Sequence, residues 1–215
     1  MTLIVNEIFY SIQGESSYAG RSCVFIRLTG CNLRCSYCDT QYAYYDGKNM
    51  DIQEIMDKIA LYGCPLVEIT GGEPLLQEET PHLIKHLLDS GYQVLLETNG
   101  SQDISMIDNR CVRIVDLKCP SSGEKDMNDL KNLNRLTRKD EVKFIIGNRE
   151  DYEYAKDTLS LIKRGLLGKI PVHFSPSFGR MDPKELAGWI LNDRLNFRLH
   201  LQLHKYIWKP EKRGV

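Results

Sequence analysis

The sequence has no apolar run long enough to cross a bilayer. Its first residues, MTLIVNEIFYSIQGE, lack the basic leading segment of a secretion signal, and Glu7 interrupts the apolar positions early. A membrane-embedded or exported protein is therefore not expected, and the chain reads as soluble and cytoplasmic. No sign of charge dominates either. Lys and Arg number 28 against 29 Asp and Glu, for a formal net charge of −1. A broad basic field for nucleic acid does not follow, and no direct nucleic-acid contact is expected. Low-complexity tracts, charge blocks and linkers are missing, so 215 residues with 42% hydrophobic content read as one domain with a real core. An even cysteine count is missing too. The seven cysteines, without a leader, argue against a disulfide framework.

What is present alternates. CVFIRLT (23–29), PLVEIT (65–70), YQVLLET (92–98), VRIVDLK (112–118), EVKFIIG (141–147), IPVHFSP (170–176) and FRLHLQLH (197–204) read as strands. Between them stand helices. MDIQEIMDKIALYG carries Asp51 as cap and an apolar face of Ile52, Ile55, Met56 and Ile59. TPHLIKHLLDSG has Thr80 as cap and Pro81 as first residue, and REDYEYAKDTLSLIKRG and DPKELAGWILNDR follow the same logic. A weak helix is expected within Asp126–Leu136, and the stretch Ile107–Cys111 is too short for a full crossover helix. Alternation of this kind implies parallel βαβ units wound in one hand. The chain is short for the roughly 250 residues of an eight-fold barrel. The expected fold is therefore an α/β partial, open (β/α)6-type barrel with reduced helices. Polar and glycine clusters fall where strands end: TGC, TGGEP, ETNG, DLKCP, FSPSFG and QLHK. Ligands bind at the carboxyl ends of parallel strands, so these loops predict one site.

GCNLRCSYCDT places Cys31, Cys35 and Cys38 within eight residues, whereas Cys23, Cys64, Cys111 and Cys119 are scattered and read as small buried hydrophobes. Clustered thiolates bind soft metals. A structural zinc site closes with four ligands, and neither Cys23 nor Cys64 has the spacing to complete one. Three ligands leave a four-iron cluster with one open iron.

Cys31-x3-Cys35-x2-Cys38 resembles the signature of the radical S-adenosylmethionine (SAM) enzymes. The resemblance implies a [4Fe–4S] cluster held by these cysteines, with SAM on the open iron and a 5′-deoxyadenosyl radical released on reduction. Tyr37 then matches the aromatic near the adenine, with Cys38 and Asp39 beside it. TGGEP resembles the family's Gly-Gly-Glu motif, which implies SAM contacts at Gly71, Gly72 and Glu73. DLKCP adds Asp116, Leu117 and Lys118 as further SAM contacts.

NEIFYSIQGESSYAGRSCVFIRLTGCNLRCSYCDT and QLHKYIWKPEKRGV resemble the two ends of the 7-carboxy-7-deazaguanine synthases. The implied reaction is ring contraction of 6-carboxy-5,6,7,8-tetrahydropterin with loss of ammonia, on the route to queuosine and other 7-deazapurines. Residues 1–22 become a substrate-binding extension, and 204–215 a tail near the site. The implied substrate contacts are Ile12, Gln13, Gly14, Glu15, Arg27, Thr70 and His204. Glu15 accepts from N–H donors, Gln13 does both, and Arg27 offers a planar fork for the substrate carboxylate. His204, at the end of the last strand, is the candidate for the late proton transfer. Thr40 is the implied Mg²⁺ ligand. A homodimer and a flavodoxin or ferredoxin as electron donor are further implications. Two readings compete: an activase that makes a glycyl radical on a partner enzyme, and a non-catalytic iron–sulfur or zinc module that contacts tRNA.

Overall fold

A computed structural model of the chain describes residues 1–162 and 165–215. Its nine strands form one sheet in the order β3-β1-β2-β4-β5-β6-β7-β8-β9. Strands β2 (Ser22–Leu28), β4 (Leu66–Gly71), β5 (Gln93–Thr98), β6 (Val112–Leu117), β7 (Glu141–Ile146) and β8 (Val172–Pro176) run parallel, and the two-residue β9 (Arg198–Leu199) continues them. This is the open, partial barrel expected from the alternating pattern. Strand β1 (Thr2–Ile12) was not foreseen. It pairs antiparallel with β2 from Val5↔Leu28 to Ile12↔Ser22, and β3 (Lys48–Asp51) pairs antiparallel with it in turn. The N-terminal extension is thus part of the sheet.

Not every helix takes its expected cap. Helix α1 (Ile52–Ala60) starts at Asp51, whose carboxylate accepts from the Glu54 N–H and satisfies an otherwise orphaned donor. Helix α2 (Thr80–Asp89) departs from the sequence reading. Thr80 lies inside it, and its hydroxyl donates to the Pro74 carbonyl rather than capping the helix. The 126–136 segment forms only the single turn α3 (Asn132–Arg135), because the Asn132 amide is spent on the Gly100 and Gln102 carbonyls. Helix α4 (Arg149–Leu159) is shorter than its pattern, of which Lys163 and Arg164 lie outside the described residues, and α5 (Pro183–Asn192) follows the expectation. The 107–111 crossover is reduced to a 3-10 turn at Ile104–Met106, in line with its length.

The last expected strand is corrected. Only Arg198 and Leu199 pair with β8. Beyond them the chain leaves the ladder, because Leu203 N–H donates to the Gly14 carbonyl at 3.0 Å and the Gln202 amide to Glu15. His204 therefore opens the one-turn α6 (His204–Ile207) instead of ending a strand.

Side chains outside the barrel form one apolar layer. It includes Val24, Ile26, Val67, Ile69, Leu96, Val115, Phe144 and Phe174, all fully buried or nearly so. Inside that shell lies one charged pair. Arg113 and Asp140 are 2% and 0% exposed at the side chain and meet at 2.6 Å. The remaining Arg113 donors reach the Ile104 and Arg135 carbonyls, and Asp140 also accepts from the Thr137 N–H and hydroxyl. Such a pair is tolerated because every charge-bearing atom is satisfied, and removal of one partner strands the other. Asp140→Ala is expected to lower stability by about 3–5 kcal/mol, measured by denaturant unfolding; a loss below 1 kcal/mol would contradict this role.

Candidate functional site

A cavity of about 770 Å³ opens at the carboxyl ends of the parallel strands. Its wall carries Cys31, Cys35, Tyr37, Cys38, Asp39 and Thr40 from the loop after β2. Arg27, Thr70, Gly71, Gly72, Asp116 and Lys118 come from strand ends, and Ile12, Gln13, Gly14, Glu15 and His204 from the chain's two ends. Pro210–Val215 line it as well, so the C-terminal tail borders the cavity.

The cysteine loop is fastened from several sides. Gly30 N–H donates to the Ala43 carbonyl, and Ser36 N–H to that of Ser122. Arg34 N–H donates to Glu124, and the Arg34 guanidinium to the Cys31 and Leu33 carbonyls. Arg180 reaches across from the loop after β8 to the Ser36 carbonyl at 2.7 Å. Cys31, Cys35 and Cys38 are half-buried free thiols, whereas the other four cysteines are buried. N–H donors already point at sulfur: Leu33 N lies 3.4 Å and Asn99 Nδ2 3.9 Å from Cys31 Sγ. Three accessible thiols with N–H donors fit an iron–sulfur cluster with one iron left for another ligand.

The Gly-Gly-Glu motif works by close approach. A Cβ on Gly71 would strike the Leu28 carbonyl oxygen, and one on Gly72 the Gly30 carbonyl oxygen. Only glycine lets the end of β4 lie against the start of the cysteine loop. Glu73 has a different place from the one expected. It is fully buried, does not line the cavity, and accepts from Leu75 N–H, the Thr98 hydroxyl and Asn99 N–H. It thereby fixes Asn99, which touches Cys31. Leu117 is also corrected: it is fully buried in the apolar layer, and its neighbours Asp116 and Lys118 face the cavity instead. Tyr37 lines the cavity, and its buried hydroxyl has no partner among the described residues.

At the cavity floor the barrel interior is acidic, which the strand pattern did not reveal. Lys143, from the middle of β7, is 4% exposed. Its ammonium meets Glu15 at 2.8 Å, Asp116 at 3.3 Å, and Glu97. Burial favours a neutral lysine, but these carboxylates outweigh it and hold Lys143 charged. Burial likewise raises Glu15, yet Lys143 and the donating Gln202 amide bring its carboxyl well below the usual range. Burial keeps the Glu97 carboxyl above its ordinary value despite the lysine. Glu68, on β4, is pushed well above the usual range by burial and by Glu97 and Glu15. Lys118 is held charged in the same manner, because Asp116 at 3.0 Å overcomes its burial.

This network changes the roles assigned to the first loop. The Gln13 amide is engaged at both atoms: its Nε2 donates to Glu68 and its Oε1 accepts from Glu15 N–H. Gln13 is 2% exposed and positions its neighbours. Gly14 passes so close to the His204 ring that a Cβ would collide with it. Arg27 donates through Nε to Glu7 at 2.7 Å and lies between the Phe9 and Tyr42 rings. Burial lowers the His204 pKa, so its ring is mostly neutral near pH 7. Thr40 donates to Asp39, whose other oxygen meets Lys205 at 2.6 Å. Sequence reasoning missed Glu68, Lys143 and Arg180, and had Glu97 only as the start of the ETNG loop. The alternation of VEIT and VKFII held the signal, since a charged residue stands on the face opposite each buried apolar one.

The pattern described as the Radical SAM superfamily matches residues 25–173. The 7-carboxy-7-deazaguanine synthase of Koribacter versatilis (strain Ellin345) is 46% identical over 228 residues, which cover 98% of this chain and 99% of the relative. The enzyme of the same name from Chlorobaculum tepidum is 46% identical over 216 residues, with 99% and 97% covered. QueE from Escherichia coli, a solved crystal structure, has the same fold, with a TM-score of 0.77 at 22% identity and 94% of each chain covered.

The floor makes a pH-dependent prediction. Lys143→Met leaves Glu15 and Glu97 without their cation, while Asp116 keeps Lys118, and is expected to cost about 3–5 kcal/mol near neutral pH. Without the lysine, burial raises the folded-state pKa values of Glu15 and Glu97 above the unfolded ones, so the variant is least stable at high pH and recovers as pH falls. In the parent chain Glu15 is depressed, and its contribution is instead lost as pH falls below about 4.5. Unfolding curves from acid to alkaline pH check both signs. A K143M deficit that does not vary with pH would contradict the assignment.

Proposed function

The chain belongs to the radical SAM superfamily and, within it, to the 7-carboxy-7-deazaguanine synthases, and from that membership we propose how its own residues serve the reaction. The enzyme is a lyase of 7-deazapurine biosynthesis; it contracts the ring of 6-carboxy-5,6,7,8-tetrahydropterin to 7-carboxy-7-deazaguanine with loss of ammonia. Neither the glycyl-radical activase nor the tRNA-binding module is favoured. One observation supports the division of labour below: accessible thiols and acidic, hydrogen-bonding side chains line the same cavity.

Cys31, Cys35 and Cys38 hold the [4Fe–4S] cluster. Gly71 and Gly72 offer backbone to SAM, Tyr37 and Asp39 flank it, and Asp116 with Lys118 meets its polar part. Cluster and SAM, when bound, supply the one-electron chemistry that abstracts hydrogen from the substrate. Everything else falls to the chain. The first loop, Ile12–Glu15, forms the floor on which the flat pterin rests, so residues 1–22 act as the substrate-binding extension. Glu15 is held ionised by Lys143, which readies it to accept N–H donors without reorganisation. Arg27 and Thr70 face the substrate from adjacent strands, and Arg27 takes the substrate carboxylate through its planar fork. His204, neutral and seated against Gly14, accepts the proton lost when the product becomes aromatic. The Pro210–Val215 tail covers the opening and keeps water from the reactive interior.

Thr40 supplies a hard oxygen ligand for Mg²⁺, with substrate and water completing the shell. The enzyme works as a homodimer in the cytoplasm, with a flavodoxin or ferredoxin as reductant. No helix among the described residues is long and apolar enough to cross a membrane.

Anaerobically reconstituted protein, given the carboxytetrahydropterin, SAM and a reductant, is expected to yield 7-carboxy-7-deazaguanine and ammonia. Cys35→Ala should lose the cluster absorbance and all turnover, whereas wild-type protein that cleaves SAM but leaves the pterin intact would defeat the substrate reading. For the metal, Thr40→Val is expected to abolish the rate increase caused by Mg²⁺ while retaining cluster and SAM binding. An undiminished Mg²⁺ response in T40V would remove Thr40 from the metal site.

A further inference from the structure

The cavity floor holds one more carboxyl than Lys143 can reach. Glu15, Glu97 and Asp116 lie within ion-pair distance of that ammonium. Glu68 pairs with no cation among the described residues, although it is 3% exposed and lines the same cavity. Its Oε2 accepts from Gln13 Nε2, and its Oε1 has no protein donor among the described residues. A buried carboxyl in that state either stays neutral or receives donors from a ligand. Gln13 cannot turn away to serve the ligand itself, because its Oε1 is tied to Glu15 N–H at 3.0 Å.

The substrate in the preceding subsection, on whose identity this inference rests, carries adjacent N–H donors at its 2-amino group and N3. A carboxylate matches such an edge because it is acceptor-only. We propose that Glu68 recognises the 2-amino and N3–H edge of the pterin, and that substrate binding ionises Glu68 and releases its proton. The groups facing Glu68 come from four elements. Glu97 on β5 and Glu15 in the first loop disfavour its charge, as burial does; Lys143 on β7 and the Gln13 amide favour it; the Cys23 thiol of β2 lies beside it. Two substrate N–H donors tip this balance toward the carboxylate. Affinity therefore rises with pH until the free enzyme has already lost the proton, and then levels off.

Calorimetry tests this anaerobically, on reconstituted protein saturated with SAM and without reductant, so that nothing turns over. The wild type should bind 6-carboxy-5,6,7,8-tetrahydropterin with release of roughly one proton near neutral pH, read from the dependence of heat on buffer ionisation enthalpy. It should bind the 2-oxo analogue about 10- to 100-fold more weakly. Glu68→Gln retains an acceptor for Gln13, and its folding is checked by its melt and cluster absorbance. It should release no proton and bind the two pterins within about threefold of each other. A purely structural Glu68 would leave both readouts unmoved, and proton release or 2-amino discrimination that persists in E68Q would overturn the proposal. Should E68Q fail to fold, the wild type decides alone, since binding without proton release overturns it too. Wild-type protein that binds no pterin at all would instead overturn the substrate reading beneath it.

Discussion

One buried ammonium organises the site. Lys143 sits inside the barrel wall with Glu15, Glu97 and Asp116 around it, and each of the three comes from a different element. An unpaired charge in such a place would neutralise itself or unfold the site. Paired, it draws the first loop inward, because Glu15 can reach the lysine only if residues 13–15 cross the barrel floor. Gln202 and Leu203 then bind that loop from the other edge of the sheet, at 2.7 and 3.0 Å. The open barrel is closed across its gap by polar contacts to one short turn, and that turn is also the proposed resting place of the substrate. Stability and substrate recognition are thus tied to the same ion pairs.

The opposite wall is built by a different rule. There the backbone must come close, and glycine does the work at Gly71 and Gly72. Glu73 spends its carboxylate on the ends of β4 and β5, and so holds Asn99 against Cys31. Arg34 and Arg180 clamp the cysteine loop to its own carbonyls and to Ser36. A rigid thiol-bearing loop above and a charged floor below leave a cavity whose two faces carry unlike chemistry. Oriented reaction of a flat substrate requires that separation, because a small displacement of the reacting atom costs much of the rate.

Much of this could be read from the chain, and the rest was hidden for physical reasons. Strands and helices alternated visibly, and the cysteine triplet and the Gly-Gly-Glu motif lay at strand ends where ligands bind. Asp51 capped its helix as its spacing required. Thr80 did not, because the Pro74 carbonyl competed for its hydroxyl. FRLHLQLH alternates like a strand, yet tertiary bonds to Gly14 and Glu15 pull it off the sheet after Leu199. Glu68 and Lys143 escaped notice because a charged residue in a strand ordinarily faces water. Only the closed curvature of the sheet turns that face inward. Gln13 and Glu73 were placed in the right region with the wrong partners, since sequence does not tell which acceptors the protein itself will satisfy.

The central claim is that the floor built around Lys143 holds the pyrimidine side of the pterin while the thiol loop faces its reacting carbon. The most direct measurement is an anaerobic crystal structure of the reconstituted enzyme with SAM and 6-carboxy-5,6,7,8-tetrahydropterin. The account predicts the amino edge of the ring within about 3 Å of floor carboxylates, the substrate carboxylate at Arg27, and C6 turned toward the cysteine loop. A pterin lying the other way, with its carboxylate on Lys143 and its amino edge in the opening, would contradict it.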